Sequence, residues 1–374
     1  MDVLVLGTSN CIISDSFIKY FEKFAGYRIE NRSIGASSNS VGLYILETLK
    51  DRKFDFAILD YEINDTGVLG RGLKTADDIR ENIRSIVAIT RSMGCTPILT
   101  IIPSYGTLQN VSEVERAHLD VCRQEGVHFL NVADLFREAL KQGLTTRDAL
   151  MRDSAHMSAR VTPLIGEVLA KGLQNILATA AEPKNHRTAV RKMRSIPAAA
   201  VFAPQALIER RSSIYSSHYG RLRQGETIRL PVREDECLLA LVMNTGALGA
   251  NVAFRNGREE VVKPLIVYWD ENKPDWFTAI CVDFKRQLPG GHNGIEITAL
   301  GPDAQPTEAT LHQKPFLPGR YGEVEIEGFL IGTQAKLEVT SEVQSRPGLP
   351  LSLLEMTGQQ RTLERLSALT PLPS

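Results

Sequence analysis

Two stretches of the chain hold residue types suited to nucleophilic attack on a carbonyl. Gly7-Thr8-Ser9-Asn10 directly follows the apolar run Val3-Leu4-Val5-Leu6 and precedes a segment of helical spacing. A small-residue turn between strand and helix lets a serine hydroxyl project from the end of a sheet, where helix N–H groups converge. Taken alone, Ser9 or Asn10 is better explained as a helix N-cap. Asp153-Ser154-Ala155-His156 supplies a carboxylate and an imidazole three residues apart on a loop. The carboxylate then reaches one ring nitrogen while the other faces outward, the orienting pair that a serine nucleophile requires.

Two further stretches suit the binding of a developing charge. Gly35, in Ser33-Ile34-Gly35-Ala36-Ser37-Ser38-Asn39, closes the second apolar run. A glycine there permits close backbone approach, so its N–H can face a ligand, although an ordinary turn glycine fits as well. Asp60-Tyr61-Glu62-Ile63-Asn64-Asp65 sets four hydrogen-bonding side chains at the end of the third run. Such an edge is expected to be wet or covered by ligand.

The elements that position these residues alternate strictly. Val3 to Leu6, Tyr27 to Ile34, Phe54 to Leu59, Pro97 to Ile102 and Val127 to Val132 read as buried strands. Ser14 to Phe24, Val41 to Leu49, Ala76 to Ser92, Ser112 to Gln124, Ala133 to Lys141 and Arg160 to Ala178 have helical spacing. Alternation of this kind means βαβ units and a parallel sheet covered on both faces, with reactive residues at the carboxyl ends of the strands. Residues 183–213 are polar, basic and punctuated by proline, and read as a linker. Its cationic run Arg187, Arg191, Lys192 and Arg194 reads as a solvated connector rather than a partner site. Residues 214–344 carry short strand-like runs separated by Gly, Pro, Asn and Asp, the pattern of a sandwich or jelly roll. Residues 345–374 form a tail with one helical stretch, Leu354 to Leu366.

Taken together, the order and placement of these blocks resembles the SGNH (GDSL) hydrolase superfamily over residues 1–182. The matching blocks are Gly7-Thr8-Ser9, Gly35, Glu62-Ile63-Asn64-Asp65 and Asp153-Ser154-Ala155-His156. Thr8 stands where the family pattern has aspartate, and Glu62 where it has glycine. For residues 1–182 the resemblance implies an α/β fold, a three-layer parallel-sheet domain; the all-β, jelly-roll-like sandwich that follows is read from its own strand pattern. It implies Ser9 as nucleophile, His156 as base and Asp153 as its orienter, with an oxyanion hole from the N–H groups of Ser9 and Gly35 and the Asn64 amide. Glu62 is expected at the cleft as a substrate-binding residue.

The implied function is a serine-dependent ester hydrolase or O-acyltransferase, acting on O-acyl (acetyl) groups of a carbohydrate through an acyl-enzyme on Ser9. Alternatives are a lipid or small-ester hydrolase, or a non-enzymatic glycan-binding or assembly protein on the same scaffold. The last is expected to lack a triad member, and none is missing. No cofactor or metal is called for. His118 and Cys122 have ligand-like spacing without a third ligand, Cys11 reads as a small core side chain, and Trp269 and Trp276 read as sandwich core. At 374 residues, 43% hydrophobic and 23% charged, the chain has room for two globular cores. A net charge of −1 gives no field to recruit nucleic acid, and no run approaches a membrane span. Five scattered cysteines and the absence of a signal-like leader suggest a cytoplasmic protein. The oligomeric state is left open.

Overall fold

Val3, Leu4, Val5 and Leu6 expose no surface at all, as a strand covered on both faces must. They lie in β1 (Asp2–Gly7). With β2 (Arg28–Asn31), β3 (Phe56–Asp60), β4 (Thr96–Ile101) and β5 (His128–Asn131) it forms a parallel sheet in the order β2-β1-β3-β4-β5. The computed structural model describes residues 1–179, 182–211, 215–245, 249–267, 277–315, 321–345 and 351–369.

The connecting helices are α1 (Phe17–Ala25), α2 (Ser40–Leu49), α3 (Glu62–Gly70), α4 (Ala76–Ser92), α5 (Glu113–Glu125), α6 (Val132–Lys141), α7 (Arg147–Leu150) and α8 (Thr162–Ala178). Alternate strand residues feed opposite cores. Val3, Val5, Phe56 and Ile58 pack with α1, α6 and α8. Leu4, Leu6, Ala57 and Leu59 pack with α2, α4 and α5. Helix starts follow local chemistry. Ser112 accepts the N–H of Glu115 at 2.9 Å, Asn131 accepts that of Asp134 at 3.0 Å, and Thr75 and Asp78 close a capping box. The expected helices are present, and two were not expected: the short α7, and α3, which starts where a wet strand edge was expected.

The second half contains β6 (Glu182–Pro197), β7 (Leu207–Arg211), β8 (Ser216–Arg223), β9 (Thr227–Leu230), β10 (Glu236–Asn244), β11 (Ala250–Arg255), β12 (Glu260–Leu265), β13 (Ala279–Pro289), β14 (Ile295–Leu300) and β15 (Glu323–Ser345). One sheet runs β13-β10-β15-β8-β7 with β6 also on β15, and the other runs β12-β11-β14-β9. Leu241, Met243 and Val282 of the first face Val252, Phe254 and Ile297 of the second in one core. The Phe254 and Phe284 rings meet edge to face at 4.8 Å.

The first half of the expected linker over 183–213 is β6, which pairs with β15, and Leu207–Arg211 near its end is β7 on the same sheet. Thr188, Val190, Met193 and Ile196 are buried while the cations between them are not. Arg191 pairs with Glu81 of α4 at 2.7 Å and Arg194 with Glu236 at 2.7 Å, so neither is part of a solvated connector. Both tryptophans fall within residues 268–276, outside the described residues.

The two halves share a core. Met193, Leu239, Val242, Cys281 and Leu330 of the sandwich pack in the cluster that covers α2 and α4. The chain then returns. Helices α9 (Leu353–Thr357) and α10 (Gln359–Leu369) take the place of the single expected helix, parted at Gly358, whose φ is 87°. Leu353, Leu354, Leu363 and Leu366 complete the core between α8 and the parallel sheet.

Candidate active site

Gly7 ends β1 under tight packing. A Cβ at this position would lie 2.7 Å from Cys11 Sγ and 2.9 Å from Asp60 Cβ, so only glycine lets the chain turn here. The turn continues as a single 3₁₀ turn, Ser9–Cys11, leaving Ser9 half-buried at the carboxyl end of the sheet. Thr8, fully buried, donates its hydroxyl to Asp60 Oδ2 at 2.8 Å. Burial pushes the Asp60 carboxyl up to about 6, against the pull of the Thr8 and Cys11 donors. That contact accounts for the departure at position 8, because an aspartate there would set a second carboxylate against Asp60. Cys11 is buried and its thiol is pushed well up by burial, the reverse of a reactive thiol.

His156 is brought to the turn from the loop before α8. Its Nε2 lies 2.8 Å from Ser9 Oγ, and its Nδ1 lies 2.8 Å from Asp153 Oδ2 and 2.9 Å from Oδ1. Asp153 Oδ1 also accepts the N–H groups of Ala155 and His156, each at 2.8 Å. Partial burial raises the Asp153 carboxyl, but these N–H groups and the ring outweigh it and hold it below the usual range. Side-chain exposure is 23% for His156 and 46% for Asp153, so the three residues form a chain at the molecular surface.

Asn10 is the residue that sequence reading missed. Buried beside Ser9, it donates from Nδ2 to the Ala155 carbonyl at 3.0 Å and accepts the Met157 N–H at 3.3 Å. Its partners lie 145 or more residues away, so the only available signal was its place next to the serine.

Gly35 sits over the nucleophile. A methyl group on it would be 3.6 Å from Ser9 Cβ and 3.6 Å from Ile12 Cδ1. Ala36 follows with φ of 55°, a left-handed backbone that costs a non-glycine residue energy. Asn64, half-buried in the first turn of α3, donates from Nδ2 to the Ser37 carbonyl at 3.0 Å. The Gly35 loop and the Asn64 amide therefore belong to one hydrogen-bonded unit.

The remaining polar residues of the third strand end point elsewhere. Glu62 is 1% exposed and accepts the hydroxyls of Thr66 at 3.2 Å and Ser112 at 3.0 Å. Burial pushes its carboxyl up to about 8. The expected substrate-binding Glu62 is thus an internal group, because α3 turns its side chain toward α5. Asp65 is buried as well, accepting Asn39 N–H at 2.9 Å and Asn39 Nδ2 at 3.0 Å, with His118 Nε2 at 3.0 Å. His118 is spent on that network, and Cys122 lies in the core. Among the described residues, no group of three or more His, Cys, Asp or Glu is placed to hold a metal, and no helix is long and apolar enough to cross a membrane.

A parallel sheet in this order, with serine, histidine and aspartate meeting at its carboxyl end, is the arrangement that the resemblance to SGNH hydrolases leads one to expect. The whole two-domain arrangement is similar to that of a two-domain esterase active on acetylated mannans, at 13% identity over 92% of each chain with a TM-score of 0.55. A second structure, of such an esterase co-crystallised with mannopentaose, matches at 15% identity over 89% of this chain and 91% of that one, with a TM-score of 0.58. At these identities the likeness is one of fold. No family model and no curated protein matches the chain.

Proposed function

We propose that the protein is a serine esterase that removes O-acetyl groups from a carbohydrate. The observation that carries this reading is the unbroken chain Ser9 Oγ, His156 Nε2, His156 Nδ1, Asp153, with both links at 2.8 Å. Asp153 fixes the tautomer with the proton on Nδ1, which leaves the Nε2 lone pair to accept the serine proton. Ser9 Oγ attacks the acetyl carbonyl carbon as its proton passes to Nε2. The N–H groups of Ser9 and Gly35 and the second hydrogen of the Asn64 amide receive the oxyanion. Collapse expels the sugar oxygen, which takes the proton from His156. Water, deprotonated by the same nitrogen, then releases acetate from acetyl-Ser9.

The substrate class draws on the surface position of the triad, which suits a small acyl group pendant from a bulky chain. It also draws on the fold shared with an esterase active on acetylated mannans, an argument by analogy. Transfer to a sugar hydroxyl shares every step up to acetyl-Ser9 and differs only in the acceptor. The five cysteines are unpaired and buried, which accords with a reducing, cytoplasmic setting.

Labelling with a fluorophosphonate, followed by mass spectrometry, is expected to modify Ser9. Acetate release is then compared on acetylated mannan, acetylated xylan and p-nitrophenyl acetate, with and without added free mannan as acceptor. Labelling at another residue, or acetate release that survives Ser9→Ala, would overturn the reading.

A further inference from the structure

The serine–histidine–aspartate chain and the oxyanion elements are held by different parts of the molecule. Asn10 secures the triad loop from inside the first domain. The Gly35 loop is secured from the sandwich. Ser37 Oγ accepts the backbone N–H of Cys281 in β13 at 2.9 Å and donates to the Gly35 carbonyl at 3.2 Å. Ser38 Oγ donates to Asp283 Oδ2 at 2.6 Å. The other carboxylate oxygen of Asp283 faces Lys74 Nζ at 2.8 Å, and that ammonium also reaches Asn39 Oδ1 at 3.3 Å and Ser40 Oγ. All of these side chains are buried or nearly so; Asp283 is 4% exposed and Ser37 and Ser38 are 0%. Ala36, in its left-handed conformation, packs against the sandwich core. One turn beyond Asn64 along α3, Leu311 of the sandwich closes a small cluster with Val68 and Leu73.

We infer that Asp283 is a positioning residue for the oxyanion loop. Through Ser38 and Lys74 it fixes residues 36–40 so that the Gly35 N–H and the Asn64 amide face the carbonyl held over Ser9. The physical ground is that a strained residue keeps its conformation only where its surroundings over-determine it, and here the surroundings are supplied by β13. A buried carboxylate with a hydroxyl and an ammonium on separate oxygens is directional in a way that apolar packing is not. The sandwich is then a part of the catalytic apparatus, beyond any tethering of substrate. The inference rests on the serine esterase reading and assigns a role that this reading does not require.

Ser38→Ala removes the link on the loop side, with the Ser40 N–H that Ser38 Oγ accepts at 3.3 Å, and leaves the Asp283–Lys74 pair intact. It is expected to lower kcat on p-nitrophenyl acetate by about tenfold or more, with KM within about twofold, as loss of alignment rather than of binding does. Its pH–rate profile keeps the shape of the unaltered enzyme, because the triad is untouched. The decisive comparison is the double variant. In an Asn64→Ala background the Ser38→Ala loss shrinks to about twofold or less, since both act on one oxyanion hole. Asp283→Asn repeats the comparison should Ser38→Ala fail to fold. Unchanged kcat in a folded Ser38→Ala protein, or a loss of full size in the Asn64→Ala background, would overturn the inference. If the unaltered protein is not labelled at Ser9, the esterase reading itself fails, an outcome recognisable before any variant is made.

Discussion

Asn10 grips the peptide groups on both sides of His156, at the Ala155 carbonyl and the Met157 N–H. The residue next to the nucleophile therefore sets the height and angle of the base. Both of its contacts reach a loop whose main chain has few other ties to the sheet end, the Tyr105 N–H to the Ser154 carbonyl at 3.0 Å being one.

Asn10→Ala is expected to cost about 1–3 kcal/mol of stability, since it leaves a part-buried carbonyl and a buried N–H without these partners. It should also lower kcat by about 10- to 100-fold as His156 moves off Ser9 Oγ. Asn10→Asp keeps an acceptor for Met157 and loses the donor to Ala155, so its loss should be smaller on stability than that of alanine. Denaturant titration and steady-state kinetics on the same preparations check both. An alanine variant with wild-type kcat would mean that His156 is held by Asp153 alone.

Asp153 and Asn64 should fail in different ways. Asp153→Asn removes the acceptor that fixes the imidazole tautomer, and a loss of about 10⁴-fold in kcat is expected by analogy with other triads. Because the Asp153 carboxyl is held below its usual range, it stays charged as the pH falls, and its stabilising contribution is lost only below the unfolded value of 3.8. The acid limb of the activity profile therefore does not belong to protonation of this carboxylate. Asn64→Ala should lower kcat about 10²- to 10³-fold and leave KM within a few-fold. A pure KM effect would place Asn64 in ground-state binding instead.

How much of this was legible in the sequence follows from where each signal lies. Val3 to Leu6 announces itself because a strand buried on both faces is a continuous apolar run. Ser9, Gly35, Asn64 and the Asp153–His156 pair are legible because each sits at a strand-to-helix junction or on a short loop with fixed spacing. The start of α3 was hidden, since Glu62, Asn64 and Asp65 look like solvent residues until α5 and Asn39 are brought against them. Strand β6 was hidden by its cations, whose partners Glu81 and Glu236 lie on distant segments. Asn10 and Asp283 act wholly through long-range contacts, which no local pattern records.

Glu62 offers a pH test of a buried acid. Its carboxyl titrates near 8 in the folded chain against 4.5 when exposed. Between those values the folded state holds a proton that the unfolded state has released, so stability falls as pH rises, by roughly 1.4 kcal/mol per pH unit at most. Glu62→Gln keeps the oxygen that accepts Thr66 and Ser112 and abolishes the titration. Over about pH 6.5 to 8, where the Asp60 contribution has largely ended, the variant should lose less stability than the parent in urea melts. Its preference among charged and neutral esters should be unchanged, because the group does not reach the cleft. Parallel slopes for parent and variant would show that Glu62 is already ionised in the fold.

The C-terminal segment should be indispensable to the first domain. Leu353 and Leu366 are 0% exposed, and Leu354 and Leu363 are 2% exposed, all against α8 and the parallel sheet. Two hydrogen bonds to carbonyls of the segment add to this packing, from the Phe129 backbone N–H to Leu351 at 2.9 Å and from the Asn175 side-chain Nδ2 to Met356 at 3.1 Å. Arg365 forks onto Glu167 of α8 at 2.9 and 2.6 Å. Its hydrogen bonds, with those of Lys171, lower the Glu167 carboxyl to about 2. A depressed carboxylate stabilises fully above its unfolded value of 4.5 and loses that contribution as the pH falls toward 2. Docking of the segment should therefore weaken in acid, and Glu167→Gln should remove this part of the acid sensitivity. Truncating a buried leucine typically costs about 2–5 kcal/mol, so Leu366→Ala alone should lower the melting temperature by several degrees. A chain ending at residue 179 lacks this segment, and it also lacks the sandwich residues that cover α2 and α4. Such a fragment should bind a hydrophobic dye, melt without cooperativity and fail to hydrolyse p-nitrophenyl acetate. A soluble fragment with a sharp melt and full esterase activity would show that neither the returning helices nor the sandwich is needed to close the core.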